Sequence, residues 1–277
     1  MSVAIAKRLK TVVFSADSRQ FFKEMSIGTA KPSPEELGGI KHYFIDSHSI
    51  HDELSLATYI KEAEYLLRDE FKNQDTILLT GGSGMFIDGL IFGIDDIPHS
   101  KKLRDELSAE VEAQGTNHLL LEIEEKDPDY YVEFDRSNPV RVIRAIEVMR
   151  LTGKTYSELR TRSKKSQDYE IDYFVINHSR EKLYERINQR VDLMMKAGLL
   201  EEVKSLLPYR HLQALNTVGY SELFNYLDGK TNFQEAIDLI KQNSRRYAKR
   251  QMTWFRRNED AIWETAGEIL DRYERGG

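Results

Sequence analysis

Four short apolar runs punctuate the chain: TVVFSA at 11–16, HYFID at 42–46, TILLTG at 76–81 and YFVINH at 173–178. Each is rich in β-branched or aromatic residues, the mark of a strand buried on both faces. Between them the period changes. LATYIKEAEYLLRDEF at 56–71 places apolar residues at helical spacing with charges opposite. Strands alternating with amphipathic helices predict an α/β core around a parallel sheet. From about 100 to 170 no run reads as a strand. KKLRDELSAEVEAQ, DPDYYVEFD and NPVRVIRAIEVMRLTG read as helices, which predicts a small helical insertion between two strands of the core. After residue 178 the pattern stays helical. REKLYERINQRVDLMMKAG closes on a glycine stop, EEVKSLL follows, and a long basic helix covers about 232–257. The expected division is 1–100 with 171–277 as the α/β core, and 101–170 as the insertion.

Composition narrows the class. At 277 residues and 32.3 kDa the chain suits one large domain or a core with an insertion. It has no cysteine, which excludes a disulfide framework, a thiolate zinc site, an iron–sulfur cluster and a cysteine nucleophile. No apolar run approaches the roughly 18 residues a membrane helix needs, and the N-terminal run is too short and interrupted for a signal peptide. A cytoplasmic protein is expected, and nothing demands more than a monomer.

The net charge of −6 does not advertise a polyanionic partner, but its distribution does. KQNSRRYAKRQMTWFRR, from Lys241 to Arg257, carries seven basic residues and no acidic one. From Arg136 to Lys165 nine basic residues face only Glu147 and Glu158. Local charge is what an incoming polyanion feels.

Candidate chemistry gathers at strand ends. In α/β sheets ligands sit beyond the carboxyl ends of strands, so SADSRQFF at 15–22 directs Asp17, Ser18 and Gln20 toward a site. Asp17 can serve as a general base, and Gln20 can pair with a base edge through two hydrogen bonds; Asp17 and Ser18 can equally cap the turn. GGSG at 81–84 follows a strand and precedes a helix. That suits an anion cradle or simply a tight turn. In IGTAKP, Thr29 and Lys31 can touch phosphate or lie on a surface loop. Arg141 and Arg144 share one helix face, and Arg190 lies on the helix after the last run; arginine suits bidentate phosphate recognition, though a solvated face is its usual fate. In RRYAKRQMTWF the aromatics can pack inward while the charges meet RNA. Gly153-Lys154-Thr155 imitates the end of a P-loop, but Val148 stands where the motif needs glycine, and a helix precedes it. The histidines show no metal-ligand spacing.

In this order the motifs resemble the tRNA dimethylallyltransferase family, also called tRNA isopentenyltransferase, across essentially the whole chain. The matches are SADSRQFF with IGTAKP, LLTGGSGMFIDGL, NPVRVIRAIEV with TGKT, NTVGY at 216–220, and RRYAKRQMTWFR. The resemblance implies a P-loop NTPase-like parallel sheet with a helical insertion gripping the tRNA anticodon arm and a basic C-terminal helix. It implies transfer of a dimethylallyl group from dimethylallyl diphosphate to the exocyclic amine of the adenosine beside the anticodon, with Mg2+ helping to bind the diphosphate. Asp17 would be the base. Arg190, Gly82 and Thr29 would bind diphosphate. Ser18 and Gln20 would hold the flipped adenosine and its neighbours, Ser83 would lie near the reacting centre, and Asp17, Arg19 and Ser83 would also bind the tRNA. Arg104, Val140, Arg141, Val142, Ile143 and Arg144 would meet the tRNA, as would Asn216, Thr217, Val218, Gly219 and Tyr220, and Arg246, Lys249 and Arg250 on the basic helix.

The sequence departs from the family pattern twice. Phe22 stands where the Asp-Ser-x-Gln-x-Tyr motif has tyrosine. Met1 falls where the family has the helix after its first strand and P-loop, so an incomplete or misassigned start is expected. A tRNA-binding remnant without catalysis and an adenylate isopentenyltransferase acting on free nucleotide are the alternatives. The helical insertion and basic helix speak against the second, because a free nucleotide needs no anticodon grip.

Overall fold

The structure, a computed structural model, describes residues 1–160 and 169–275. In chain order its elements are α1 (Ser2–Leu9), β1 (Val13–Ser15), α2 (Pro34–Leu37), β2 (His42–Tyr43), α3 (Leu56–Tyr65), β3 (Leu78–Thr80) and α4 (Gly84–Phe92). Then come α5 (Lys101–Gln114), α6 (Asn117–Lys126), α7 (Pro128–Glu133), α8 (Pro139–Thr152) and α9 (Tyr156–Leu159). The chain closes with β4 (Phe174–Ile176), α10 (Arg180–Lys196), α11 (Leu199–Ser205), α12 (Tyr220–Leu227), α13 (Phe233–Phe255), β5 (Ile262–Glu264) and α14 (Ala266–Arg275). Contacts divide it into two units, Met1–Ile91 with Gln167–Gly277, and Phe92–Ser166. Among the described residues no helix is long and apolar enough to cross a membrane.

The first unit holds two parallel sheets, β2-β1-β3 and β4-β5. β1 is the middle strand. It pairs Val13 with His42 on one side and Leu78 on the other, so both edges are paired, and Val13, Phe14 and Ser15 are all buried, which fits an unbroken apolar run. β2 is shorter than HYFID suggests. Phe44 and Asp46 take φ of 65° and 53°, left-handed values that no strand holds and that cost an L-residue about 1–2 kcal/mol each. The turn places the Phe44 ring against Tyr59, 4.8 Å between centroids, and against Phe14 at 5.6 Å. β5 has no counterpart among the apolar runs, since three residues cannot display an alternation. Beyond the sheets, Leu199, Val203, Tyr220, Leu223 and Ile240 form the centre of a helical core from α11, α12 and α13. Phe22 belongs to this core at 6% exposure.

The second unit is helical throughout. α8 is its axis: Val142, Ala145 and Ile146 are fully buried against Leu107, Leu119 and Ile123 of α5 and α6. Asn138 caps α8 with Pro139 in its first turn, and Gly153 ends it at φ 69°. Thr155 then caps α9 in a capping box with Glu158. The Gly-Lys-Thr imitation of a P-loop is a helix stop followed by a helix start. The approach to α5 joins this unit because Arg144 donates to the carbonyls of Pro98 and Ile97.

Candidate active site

The site begins where β1 ends. Backbone pairing carries Ser15 beside Thr80, and the chain then turns out of the sheet at Asp17. The Asp17 carboxylate accepts from the amide of Arg19 at 3.0 Å, and its carbonyl accepts from the amide of Gln20 at 3.0 Å. The capping geometry is therefore present. Burial dominates the titration of Asp17 and raises its pKa, against the opposing backbone bonds of Arg19 and Gln20 and the charges of Arg19 and Arg190. A carboxyl raised by burial at a strand end is suited to accept a proton from a bound group. Ser18 lies beside it, its hydroxyl 3.1 Å from that of Ser83, which also accepts from the Ser18 amide. The β1 and β3 loops are thus stitched together at the sheet's carboxyl end. Arg19 turns away and donates to the carbonyl of Ala214.

The glycines of GGSG answer to close packing. A Cβ on Gly81 would lie 2.4 Å from the backbone of Ala16, and one on Gly84 2.3 Å from the Trp254 ring. On Gly82 it would meet the Gln251 amide at 2.2 Å, and that amide donates to the Gly82 carbonyl. The Ser83 amide is engaged by the carbonyl of Ala16. Close packing accounts for the glycines of this loop, and α13 is what presses on it. Trp254 continues the contact, donating to Asp88 on α4 at 2.6 Å, while Tyr173 donates to the other oxygen of Asp88.

The loop at 26–32 forms one wall of an open cleft of about 540 Å3, which also takes in Asp46, Arg190 and Leu193. Gln20 donates through Nε2 to the carbonyls of Thr29 and Ala30, at 3.1 and 3.2 Å. Only the amino end of the amide can serve two carbonyls, so its orientation is set and Oε1 remains an acceptor. Thr29 turns its hydroxyl into the loop, donating to Met25 O, and offers no free donor to a phosphate in this arrangement. Lys31 is likewise engaged, by Asp46 and the Phe22 carbonyl. Arg190 is exposed on α10 and has no ion-pair partner among the described residues. It is the cleft's available cation.

In the helical unit the arginines divide. Arg104 and Arg144 both bind the carboxylate of Glu147, at 3.1 and 2.7 Å, and Glu147 is fully buried. Their charge is directed inward. Val142 and Ile143 are 0% and 8% exposed and pack the core, so their side chains have no surface to offer RNA. Arg141 and Val140 are exposed.

Within NTVGY only part faces outward. Asn216 is exposed and Thr217 and Val218 partly so. Gly219 is buried at φ 97°, a value that requires glycine, and its amide donates to Glu222. Tyr220 is fully buried, and its hydroxyl donates to Glu202, so it supports the site from behind and does not meet RNA directly. On α13 the division is clean. Lys241 and Arg245 turn inward to Asp192 and Asn188 of α10, while Arg246, Lys249 and Arg250 are exposed.

The structure also brings in residues the sequence does not mark: Gln251, Trp254 and Asp88 behind the glycine loop, and Glu202 behind the 26–28 loop. Their partners lie 166 to 176 residues away in sequence, a separation at which no local pattern signals contact. Among the described residues no three His, Asp or Glu side chains converge to hold a metal.

Known proteins resemble this chain over most of its length. The family model for IPP transferase matches residues 20–258. The tRNA dimethylallyltransferase 1 of Phocaeicola vulgatus is 46% identical over 266 residues, covering 95% of this chain and 88% of that protein. Its counterpart in Bacteroides thetaiotaomicron is 46% identical, covering 98% and 89%. Among solved structures, the tRNA isopentenylpyrophosphate transferase of Bacillus halodurans superposes with a TM-score of 0.70 at 35% identity, over 99% of this chain and 89% of that one. A eukaryotic dimethylallyltransferase crystallised acting on tRNA shares the fold, with a TM-score of 0.80 at 23% identity, over 98% and 71%. This chain belongs to the IPP transferase family.

Proposed function

We propose that this chain transfers a dimethylallyl group from dimethylallyl diphosphate to the exocyclic amine of the adenosine beside the anticodon in tRNA. The observation that carries the reading is Asp17: a carboxyl raised by burial at the end of the middle strand, beside the fixed amide of Gln20. In the reaction the amine nitrogen attacks the allylic carbon. The new C–N bond forms as the C–O bond to diphosphate breaks, and the proton leaves the nitrogen for Asp17 Oδ. Diphosphate departs readily once its charge is met by donors, and Arg190 on the cleft wall is a donor placed to meet it. Mg2+ is the expected companion of the diphosphate, which supplies its own oxygen ligands. The target base must leave its stack, at a cost of a few kcal/mol, and the set acceptor of Gln20 Oε1 suits an exposed base edge.

Arg246, Lys249 and Arg250 on α13 and Arg141 on α8 supply charge for the tRNA backbone in this reading. The helical unit would serve as the anticodon grip. Incorporation of radiolabelled dimethylallyl diphosphate into unmodified tRNA tests the reaction. Label should enter tRNA and not free AMP. Label entering AMP alone would instead mark an adenylate isopentenyltransferase, and salt-sensitive tRNA binding with no label in either acceptor would mark a binding-only remnant.

A further inference from the structure

The loop that holds Gln20 is itself held by a carboxylate from another part of the chain. Glu202 on α11 accepts from three successive amides: Ser26 at 3.1 Å and Ile27 at 2.7 Å through Oε2, and Gly28 at 3.0 Å through Oε1. A fourth donor, the Tyr220 hydroxyl, reaches Oε1 at 2.6 Å. Successive amides pointing into one concavity are an anion nest. Here the anion is built in. The base of the nest is rigid, because Leu199, Val203 and Tyr220 are fully buried around it. The loop also lies flat on the Tyr220 ring, where a Cβ on Gly28 would fall 2.5 Å from Cε2.

From this nest the chain runs directly to the carbonyls that orient Gln20. Lys31 N bonds Ser26 O and Ala30 N bonds Ile27 O, folding the loop back on itself. Ala30 is held at φ 49°, a left-handed conformation that a non-glycine residue keeps only when its surroundings impose it. The strained residue is one of the two whose carbonyls take the Gln20 amide.

We propose that Glu202 is a positioning residue: clamped by Tyr220, it fixes the 26–28 backbone so that the Thr29 and Ala30 carbonyls hold the Gln20 amide in one orientation toward the substrate base. The proposal rests on the transfer reaction above for its activity readout, and on loop protection independently of it. Removal of Glu202 leaves three amides and a hydroxyl without an acceptor, frees the loop and lets the amide turn.

The test uses the full chain with Glu202→Ala, Glu202→Gln and Tyr220→Phe, the last two keeping the side-chain volume. Hydrogen exchange of the segment covering 26–30 is read beside transfer kinetics, with and without added sodium acetate. In Glu202→Ala, exchange should rise and kcat/KM for tRNA should fall about tenfold or more, the scale of one lost charge-assisted bond. KM for dimethylallyl diphosphate should stay within about twofold, since uniform loss of structure would move both substrates. Acetate, filling the emptied nest, should restore protection and kcat/KM together. Tyr220→Phe should give a smaller effect of the same kind. If Glu202→Ala does not fold, Glu202→Gln carries the same two readouts. Folded variants with unchanged exchange at 26–30, whatever their activity, would overturn the proposal, as would raised exchange with an unchanged kcat/KM for tRNA. Should the wild-type chain transfer nothing to tRNA, the transfer reading fails, and loop exchange alone decides for or against the clamp.

Discussion

Replacing Glu147 with glutamine takes one negative charge from inside the helical unit and changes little else. The carboxylate is fully buried and receives Arg144 at 2.7 Å, Arg104 at 3.1 Å and the Ser100 amide at 2.7 Å. A hydrogen bond to a charged group is worth about 1.5–3 kcal/mol. Arg144 is a quarter exposed and merits most of that range, whereas Arg104 at 47% exposure is screened and merits little. Glutamine still accepts from Ser100 through Oε1. The expected loss is about 2–4 kcal/mol, near the scale for breaking a buried pair. The titration sharpens the test. Burial alone would raise the Glu147 pKa, but the bonds from Arg144, Ser100 and Arg104 outweigh it and hold the carboxyl below its ordinary value. A depressed carboxyl stabilises the fold above its unfolded pKa, about 4.3, and loses that contribution as pH falls through the folded value. The gap between wild type and Glu147→Gln should therefore hold from pH 7 to about 5 and close below about 4. Urea unfolding reads the gap, and hydrogen exchange in α8 confines it to this unit, since a two-unit chain need not unfold in one step. A gap under about 0.5 kcal/mol at pH 7, with α8 protection unchanged, would refute the reasoning.

Other outcomes follow from the same geometry. The acid limb of kcat/KM for transfer should lie above the ordinary aspartate value of 3.8, because burial raises Asp17 and the base must be deprotonated; activity that stays level down to pH 4 would contradict this. Gly81→Ala should destabilise by about 1–3 kcal/mol or more in thermal melts, since its Cβ meets Ala16 backbone that cannot step aside. Trp254→Phe removes the 2.6 Å bond to Asp88 and should cost about 1–3 kcal/mol in the same melts, the scale of a part-buried acceptor left short of a donor. Replacing Arg246, Lys249 and Arg250 with alanine should weaken tRNA binding and lower its salt slope by about one for each phosphate no longer neutralised. An unchanged slope would remove α13 from the interface.

The elements with a strong local signal were legible. Each of the four apolar runs contains a strand, the basic helix is α13, and the Gly-Lys-Thr stretch is the helix boundary its context implied. Asp17 could be read as a strand-end carboxyl because the sheet rule needs only the end of TVVFSA. What the sequence could not separate was use from supply. Arg104, Arg141 and Arg144 are alike in the chain, yet the buried Glu147 takes two of the three. Val142 and Ile143 belong to a motif but lie under it. GGSG had two readings, and the side chains of Gln251 and Trp254, far along the chain, are what require its glycines. Glu202 sits in an ordinary acidic stretch, and its role depends on a loop 174 to 176 residues away. Helix α6 and strand β5 carry no comparable signal, the first for want of a distinct stop before α7 and the second for length.

The most direct measurement is the nucleoside content of tRNA after incubation with the chain. Unmodified tRNA, dimethylallyl diphosphate and Mg2+ are mixed with wild type or with Asp17→Ala, and the digested nucleosides are read by mass spectrometry. The account expects isopentenyladenosine with the wild type and its loss with Asp17→Ala, while tRNA binding persists in both. Equal product from the two proteins would contradict Asp17 as the base, and no product from a wild-type chain that binds tRNA would contradict the transfer itself.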